Sequence, residues 1–367
     1  LVQNYGTQPM RLDFVDFLFE GTADNPRIPH PENAIFTSSA EAKRAVDTLK
    51  EIITNPEQIT IKWDGEVALF FGRDARGQFF CSDKYMYPKG ILAHSVQDWI
   101  AYDTNKKSGT QRPDLYKKLE IIWTSLEQSV GSQPVTFKGD YFTLSNPVKG
   151  NYVLSGPTAQ YAIPANSKAG QALAGKNAVI FVHSMNERPW NGEGLEGSGN
   201  VALLGPNIDN QFGLGTYNRQ LTQLYKNAET ILSQYGNLVD TFLNQLGTKS
   251  ARAKLEQYFN QKITRQTDLS VDEWLKQNDP ANYKKLIGDN QGGILYRNIK
   301  GWNALKMIYN SIYQLKDYLD RVFTQQVKNI AMSTPGGAGG EGFVFNSPTQ
   351  GPYKLVSTGF RQSHFNK

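Results

Sequence analysis

Residues 58–83 read QITIKWDGEVALFFGRDARGQFFCSD, a stretch dense in β-branched and aromatic side chains and interrupted at Asp74-Ala75-Arg76-Gly77. That composition with that break predicts strand, short loop, strand, turn, strand. The reading places Lys62-Trp63-Asp64-Gly65 where the first strand ends, on a support stiff enough to display a reactive side chain. The same residues also read as a plain turn, with Lys62 a solvated cation, Asp64 a turn cap and Gly65 a supplier of unusual φ.

Working outward, Ala42, Ala45, Val46, Leu49, Ile52 and Ile53 recur at helical spacing and predict a helix over residues 39–53, capped by Ser38 or Ser39. Further strands are expected at 134–142 and 177–185, the second preceded by a short helix near 167–174. Between about 217 and 330 the apolar period lengthens to about 3.6 residues. Leu221, Leu224, Ala228, Ile231 and Leu232 open one long helix, and Trp302, Leu305, Ile308, Ile312 and Leu315 run through another. Plain core packing accounts for such stripes. The glycine-rich TPGGAGGEGF then returns the chain to strand-like sequence, EGFVF and PYKLVS. These segments divide the chain into 1–205, a helical insertion at 206–332, and closing strands at 333–367.

The chain has 367 residues, 39% hydrophobic and 20% charged, enough to bury a sizeable core. Lys plus Arg number 39 against 34 Asp plus Glu, and the net charge of +5 suits an anionic partner without requiring one. The single Cys81 excludes an internal disulfide, and one Cys with four His argues against a ligand-rich zinc site. A reducing, cytoplasmic compartment is expected. No apolar run reaches the roughly 18 residues that span a bilayer, and no basic-then-apolar leader is seen, so no membrane partner is expected.

Downstream of Lys62-Trp63-Asp64-Gly65 come Gly139-Asp140-Tyr141-Phe142, a hydrophobic strand holding Phe181, then Glu341-Gly342-Phe343-Val344, then Tyr353-Lys354-Leu355-Val356, each on a strand-like segment. The ordered series resembles the covalent nucleotidyltransferase superfamily of ATP-dependent polynucleotide ligases and mRNA capping enzymes. The stretches ITIKWDG, KGDYF, YAIPANSKAGQALAGKNAVIFVH and YKLVSTGFRQSHF are in addition similar to uncharacterised ligase-like proteins of marine phages.

The resemblance implies an α+β fold: an ATP-grasp-like ligase adenylation (nucleotidyltransferase) domain of antiparallel sheets, carrying a large helical insertion. It implies Lys62 as the catalytic nucleophile. Asp64, Gly65, Asp140, Phe181, Glu341 and Lys354 would bind the nucleotide, Phe181 by stacking on the purine unless it is a plain core aromatic, and Asp140 and Glu341 would hold the metal. Arg73, at the tip of the strand after Lys62, reads as a nucleotide-binding contact to phosphate or ribose or as a surface hairpin arginine. ATP and Mg²⁺ would be the cofactors, polynucleotide ends (RNA or DNA) the partners, and the cytoplasm of an infected host cell the location if the chain is phage-encoded. Only 13 residues follow Lys354, which leaves no room for a C-terminal OB-fold and points to an RNA ligase type before a DNA ligase or capping enzyme.

The chemistry asks for these residue types. A free lysine amine has a pKa of about 10.4 and is no nucleophile near neutrality until its surroundings favour the neutral form. Lowering it by about three units corresponds to roughly 4 kcal/mol. Lys354 and carboxylate-held Mg²⁺ would supply positive charge as pyrophosphate leaves. Arginine cannot replace the nucleophile, because it stays protonated. The chain departs from the family where Val67 stands for an arginine, Thr60 for a glutamate and Val356 for a second lysine. His183 reads as a satisfied core histidine, and Lys84 as a minor candidate on the same sheet. Lys306, Lys316, Arg321 and Lys328 read as a phosphate track or as a helix's solvated face. Two alternatives to the ligase stay open, a nucleotidyltransferase acting on another acceptor and a non-catalytic phage binding or structural protein that keeps the fold.

Overall fold

The computed structural model describes residues 28–356 except 107–108, 158, 191, 193, 196, 265–267, 289–290, 335–336 and 339–340. The reading on an N-terminal leader, and the readings made after residue 356, lie outside the described residues.

The expected first helix is α1, Ser39–Lys50, whose N-cap Ser38 Oγ accepts from the Glu41 N–H at 3.1 Å. Its tail tightens into a 3-10 turn at Glu51–Ile53. Next come β1 (Ile59–Ile61), β2 (Val67–Arg73) and β3 (Phe79–Asp83), in the order the opening stretch predicts. The Asp74 side chain closes the β2–β3 turn by accepting from the N–H groups of Arg76 and Gln78, both at 2.9 Å.

Two helices that the sequence reading does not mark follow, α2 (Val96–Asn105) and α3 (Pro113–Ser129). Their signals are conventional: Ser95 caps α2, Pro113 opens α3, and Leu119, Ile122 and Leu126 share a buried face. Then come β4 (Val135–Thr143), the hairpin β5 (Asn151–Ser155) and β6 (Gln160–Pro164), α4 (Lys168–Leu173) and β7 (Ala178–Met185). Three short strands, β8 (Arg188–Pro189), β9 (Gly194–Leu195) and β10 (Val201–Leu204), complete this part.

The helical stretch comprises α5 (Asn218–Leu246), α6 (Lys249–Thr264), α7 (Val271–Asn278), α8 (Pro280–Leu286), α9 (Ile294–Arg297) and α10 (Ile299–Thr324). β11 (Ala331–Thr334), β12 (Gly337–Ala338), β13 (Phe343–Ser347) and β14 (Gly351–Leu355) follow.

The architecture is α+β with mainly antiparallel sheets. The largest runs β3-β2-β4-β7-β10-β9, with β8 beside β7; a second is β1-β13-β14 and a third β12-β11-β6-β5. One pairing, β7 with β10, is parallel. Strand alternation gives the large sheet two apolar faces. Leu69, Phe71, Tyr141, Ile180 and Leu203 pack with Trp99, Leu119 and Ile122 of α2 and α3. Phe142, Val179, Phe181 and Leu204 join the core that continues through Trp63, β13 and the long helices.

The helical stretch therefore shares a core with the strands, and it recruits α1 from the first segment. The Ser39 N–H and hydroxyl donate to Asp240 at 2.8 and 2.5 Å, and Lys50 pairs with Glu229 at 2.8 Å. Lys316 does not join a surface phosphate track: it is buried on α10 in an ion pair with buried Glu32. Lys306 lies over the Trp302 ring, and Arg321 pairs with Asp317 on its own helix. Among the described residues no helix is long and apolar enough to cross a membrane.

Asp320, also buried on α10, has its carboxyl pushed up to about 8 by burial, with Lys316 opposing. Such an acid stabilises the fold while protonated, and its contribution is lost as pH rises from the unfolded value through the folded one. Its share of the wild-type stability should therefore fall between about pH 4 and about pH 8 by on the order of a few kcal/mol. Asp320→Asn should flatten that fall in urea unfolding curves taken across the range; identical pH profiles for the two proteins would refute the assignment.

Candidate active site

The pairing of β1 with β13 sets the geometry. Ile61 lies opposite Phe343 and Thr60 opposite Val344, so the next residue outward, Lys62, meets the chain just before β13. Its N–H donates to the Gly342 carbonyl at 3.0 Å. From there Lys62 Nζ reaches Glu341 Oε2 at 2.5 Å and Asp64 Oδ1 at 3.1 Å. The Lys62 side chain is 13% exposed and that of Glu341 is fully buried. Burial, followed by the negative charge of Asp64, raises the pKa of Glu341 above the usual carboxylate range, with Lys62 opposing.

Lys62, Asp64 and Gly65 line a cleft of about 740 Å³, together with Asp140 from β4, His183 from β7 and Lys354 from β14. That volume falls within the range of pockets for small organic ligands. Lys354 is opposite Val344 on β14, two strands away from Thr60, and all three residues face the cleft. His183 Nε2 lies 3.3 Å from Asp140 Oδ2. The register shift in the β4–β7 pairing, where Lys138 faces Ser184 but Gly139 faces Val182, makes His183 the extra residue, and both His183 and Ser184 line the cleft. Nothing in the sequence marks that bulge.

Two expected ligands are placed elsewhere. Arg73 ends β2, five residue steps beyond Ala68, and donates to the carbonyls of Gly131 at 2.8 Å and Gly77 at 3.1 Å, with Glu127 at 3.5 Å. It ties the β2–β3 turn to the end of α3 and lines a separate shallow depression. Phe181 is fully buried, its ring parallel to Trp63 with centroids 3.5 Å apart. Trp63 in turn donates to the Pro206 carbonyl at 2.9 Å, so its indole covers the Phe181 face on which a base was expected to stack. Trp63 itself lines the cleft, a role the motif reading overlooks.

Gly65 has a reason other than φ. A Cβ there would sit 2.5 Å from the Tyr141 carbonyl oxygen and 2.9 Å from its nitrogen, so only glycine lets the loop lie on β4. The neighbouring Glu66 N–H donates to that same carbonyl at 2.8 Å. On the other side, the Asp64 N–H donates to the Tyr161 hydroxyl at 3.1 Å, a phenol whose pKa burial raises.

Further charges ring the cleft. Lys84, Lys118 and Lys138 face it, as does Arg112, which is drawn to Asp103 and Asp83 at 2.7 Å each. Among the described residues no group of three or more Asp, Glu, His or Cys side chains is arranged to hold a metal ion. Mg²⁺ is commonly bound by one or two carboxylates together with substrate phosphates and water. Asp140, on the cleft wall, fits that mode, whereas the carboxylate of Glu341 is engaged by Lys62.

An α+β protein with an acid-flanked lysine set in a mixed-charge cleft is thus the class that fold and site define. The chain belongs to DUF6267, a family of unknown function whose model matches residues 25–367. No curated protein and no solved structure matches it.

Removal of the Phe181 ring should cost about 3–5 kcal/mol, as for other buried aromatics. Gly65→Ala should cost about 1–3 kcal/mol, because the added methyl meets backbone. Urea unfolding measures both, and full stability in Phe181→Ala would show that the ring is not a core element.

Proposed function

We propose that the protein is an ATP-dependent nucleotidyltransferase of the polynucleotide ligase kind, joining 5′-phosphate to 3′-hydroxyl ends, with RNA favoured over DNA. The observation that carries this reading is the convergence of Lys62, Asp64, Asp140 and Lys354, far apart in sequence, on one cleft, with Glu341 bonded to Lys62 behind it.

In the proposed first step Lys62 gives a proton to Glu341, whose burial raises its appetite for one. The neutral Nζ then attacks the α-phosphorus of ATP. The N–P bond forms, the bond to the bridging oxygen breaks, and pyrophosphate leaves, taking up the second proton that the amine sheds. Lys354, 9% exposed on the cleft wall, offers its ammonium to the phosphates. Mg²⁺ held by Asp140 would offset charge on the departing pyrophosphate. The adenylyl group passes to a 5′-phosphate, and a 3′-hydroxyl finally displaces AMP.

A second reading, a module that binds without catalysis, is favoured by one feature: the Trp63 indole occupies the face of Phe181. Transfer to another acceptor is the third.

Incubation with α-³²P-ATP and Mg²⁺, then denaturation, should leave label on the chain, and Lys62→Ala and Lys62→Arg should abolish it. Glu341→Gln should slow labelling by about 10²–10⁴-fold, the usual loss on removing a proton acceptor. Stronger labelling from GTP would favour the other-acceptor reading. Folded protein that binds ATP but never takes label would leave the binding module.

A further inference from the structure

Beside the cleft, the loop after β3 and the adjoining helix carry a surface that none of the proposed chemistry uses. Tyr85 is 49% exposed, among the largest exposed apolar side chains described. Lys84 Nζ lies 5.5 Å and Lys106 Nζ 5.7 Å from its ring centroid. Lys106 also stands 4.5 Å from the Tyr102 ring, although Asp103 shares its ammonium at 2.6 Å. Lys89 is 5.9 Å from the Tyr102 ring, and among the described residues neither Lys84 nor Lys89 has a carboxylate within ion-pair distance. Tyr87, half-buried two residues after Tyr85, stacks on the buried Phe70 ring at 4.5 Å, and Lys138 sits 5.4 Å from that ring.

The loop is held in place before any ligand arrives. The Tyr85 N–H donates to Asp83 at 2.8 Å, the Tyr102 hydroxyl donates to the Tyr85 carbonyl at 2.8 Å, and Asp83 is braced by Arg112 at 2.7 Å. Alternating ammonium groups and aromatic faces match the alternation of phosphate and base in an unpaired strand, where every base offers a face to stack. A duplex hides those faces. Lys84, Tyr85 and Lys138 also line the cleft that holds Lys62, so the surface runs into it.

We infer that this Lys84–Tyr85–Lys89 surface binds single-stranded nucleic acid and leads its end toward the Lys62 cleft. The leading role rests on the ligase reading above, whereas the binding does not.

Fluorescence anisotropy of the full chain with labelled single strands of about 12 nucleotides, in RNA and DNA form, and with the matching duplexes tests it. The single strands should bind more tightly, and affinity should fall with salt. Lys84→Ala combined with Lys89→Ala should reduce the magnitude of the log–log salt slope by about 1.4, from roughly 0.7 per lost phosphate contact. Tyr85→Ala should weaken binding about 5- to 150-fold with the slope unchanged, and Tyr85→Phe should retain wild-type affinity. The backbone bonds that hold the loop survive these changes, and melting temperatures verify folding.

Absence of single-strand binding, equal affinity for the duplex, or unaltered binding by both the lysine and the Tyr85→Ala variants overturns the inference. Self-labelling of the wild type from ATP is read separately. Oligonucleotide binding lost in the variants of a protein that never takes label supports the surface and removes the ligase; label in a protein whose variants bind normally removes the surface alone.

Discussion

The antiparallel pairing of β1 with β13 is the constraint from which the site follows. Three residues, Ile59, Thr60 and Ile61, are all buried, and their register opposite Phe345, Val344 and Phe343 leaves Lys62 facing the approach to β13. A shift of one residue would turn each side chain to the opposite face of the strand. For β1 it would take Thr60 off the cleft and Lys62 away from Glu341, while Val344 stayed held by β14. Gly342 makes this approach possible: its φ is +105°, and a Cβ there would come within 2.2 Å of the Leu355 carbonyl oxygen. The narrow sheet thus holds both the lysine and its buried carboxylate, and its third strand brings Lys354 to the same wall.

The opposite wall is built by different means. β4 contributes Asp140 from the face that also carries Phe142, while the bulge on β7 adds His183 beside it. Trp63, covering Phe181 and bonded to Pro206, joins the loop of the motif to the core that extends into the long helices. An amine between two carboxylates, one of them buried, is held in place electrostatically and is also next to a group able to take its proton. The same low-polarity surroundings that raise the proton affinity of Glu341 exclude the water that would otherwise compete for it.

The helices are more than an appendage. Their apolar faces share the core of the strands, and α1, far earlier in the chain, packs into them through Ser39, Gly236 and Asp240. The buried ion pair of Lys316 with Glu32 ties the start of the described chain to α10. Breaking such a pair by removing one partner commonly costs more than the pair contributes, because the other charge is left buried.

Much of the fold was legible in the residues themselves. Runs rich in β-branched and aromatic residues marked β2, β4 and β7, a period near 3.6 marked α5 and α10, and the serine pair Ser38-Ser39 marked where α1 begins, because local sterics and burial write those patterns into neighbouring residues. The order of Lys62, Asp64, Asp140, Glu341 and Lys354 could likewise be read as a series. Which of them share a cleft could not: that depends on register, and register is settled by side chains hundreds of positions apart. Arg73 and Phe181 belong to strands that do reach the site, yet one lies beyond its end and the other is sealed under Trp63. Lys316, a surface cation by sequence pattern, is enclosed because Glu32 meets it there. Periodicity records which face of an element is buried; only the packed chain determines what that face is buried against.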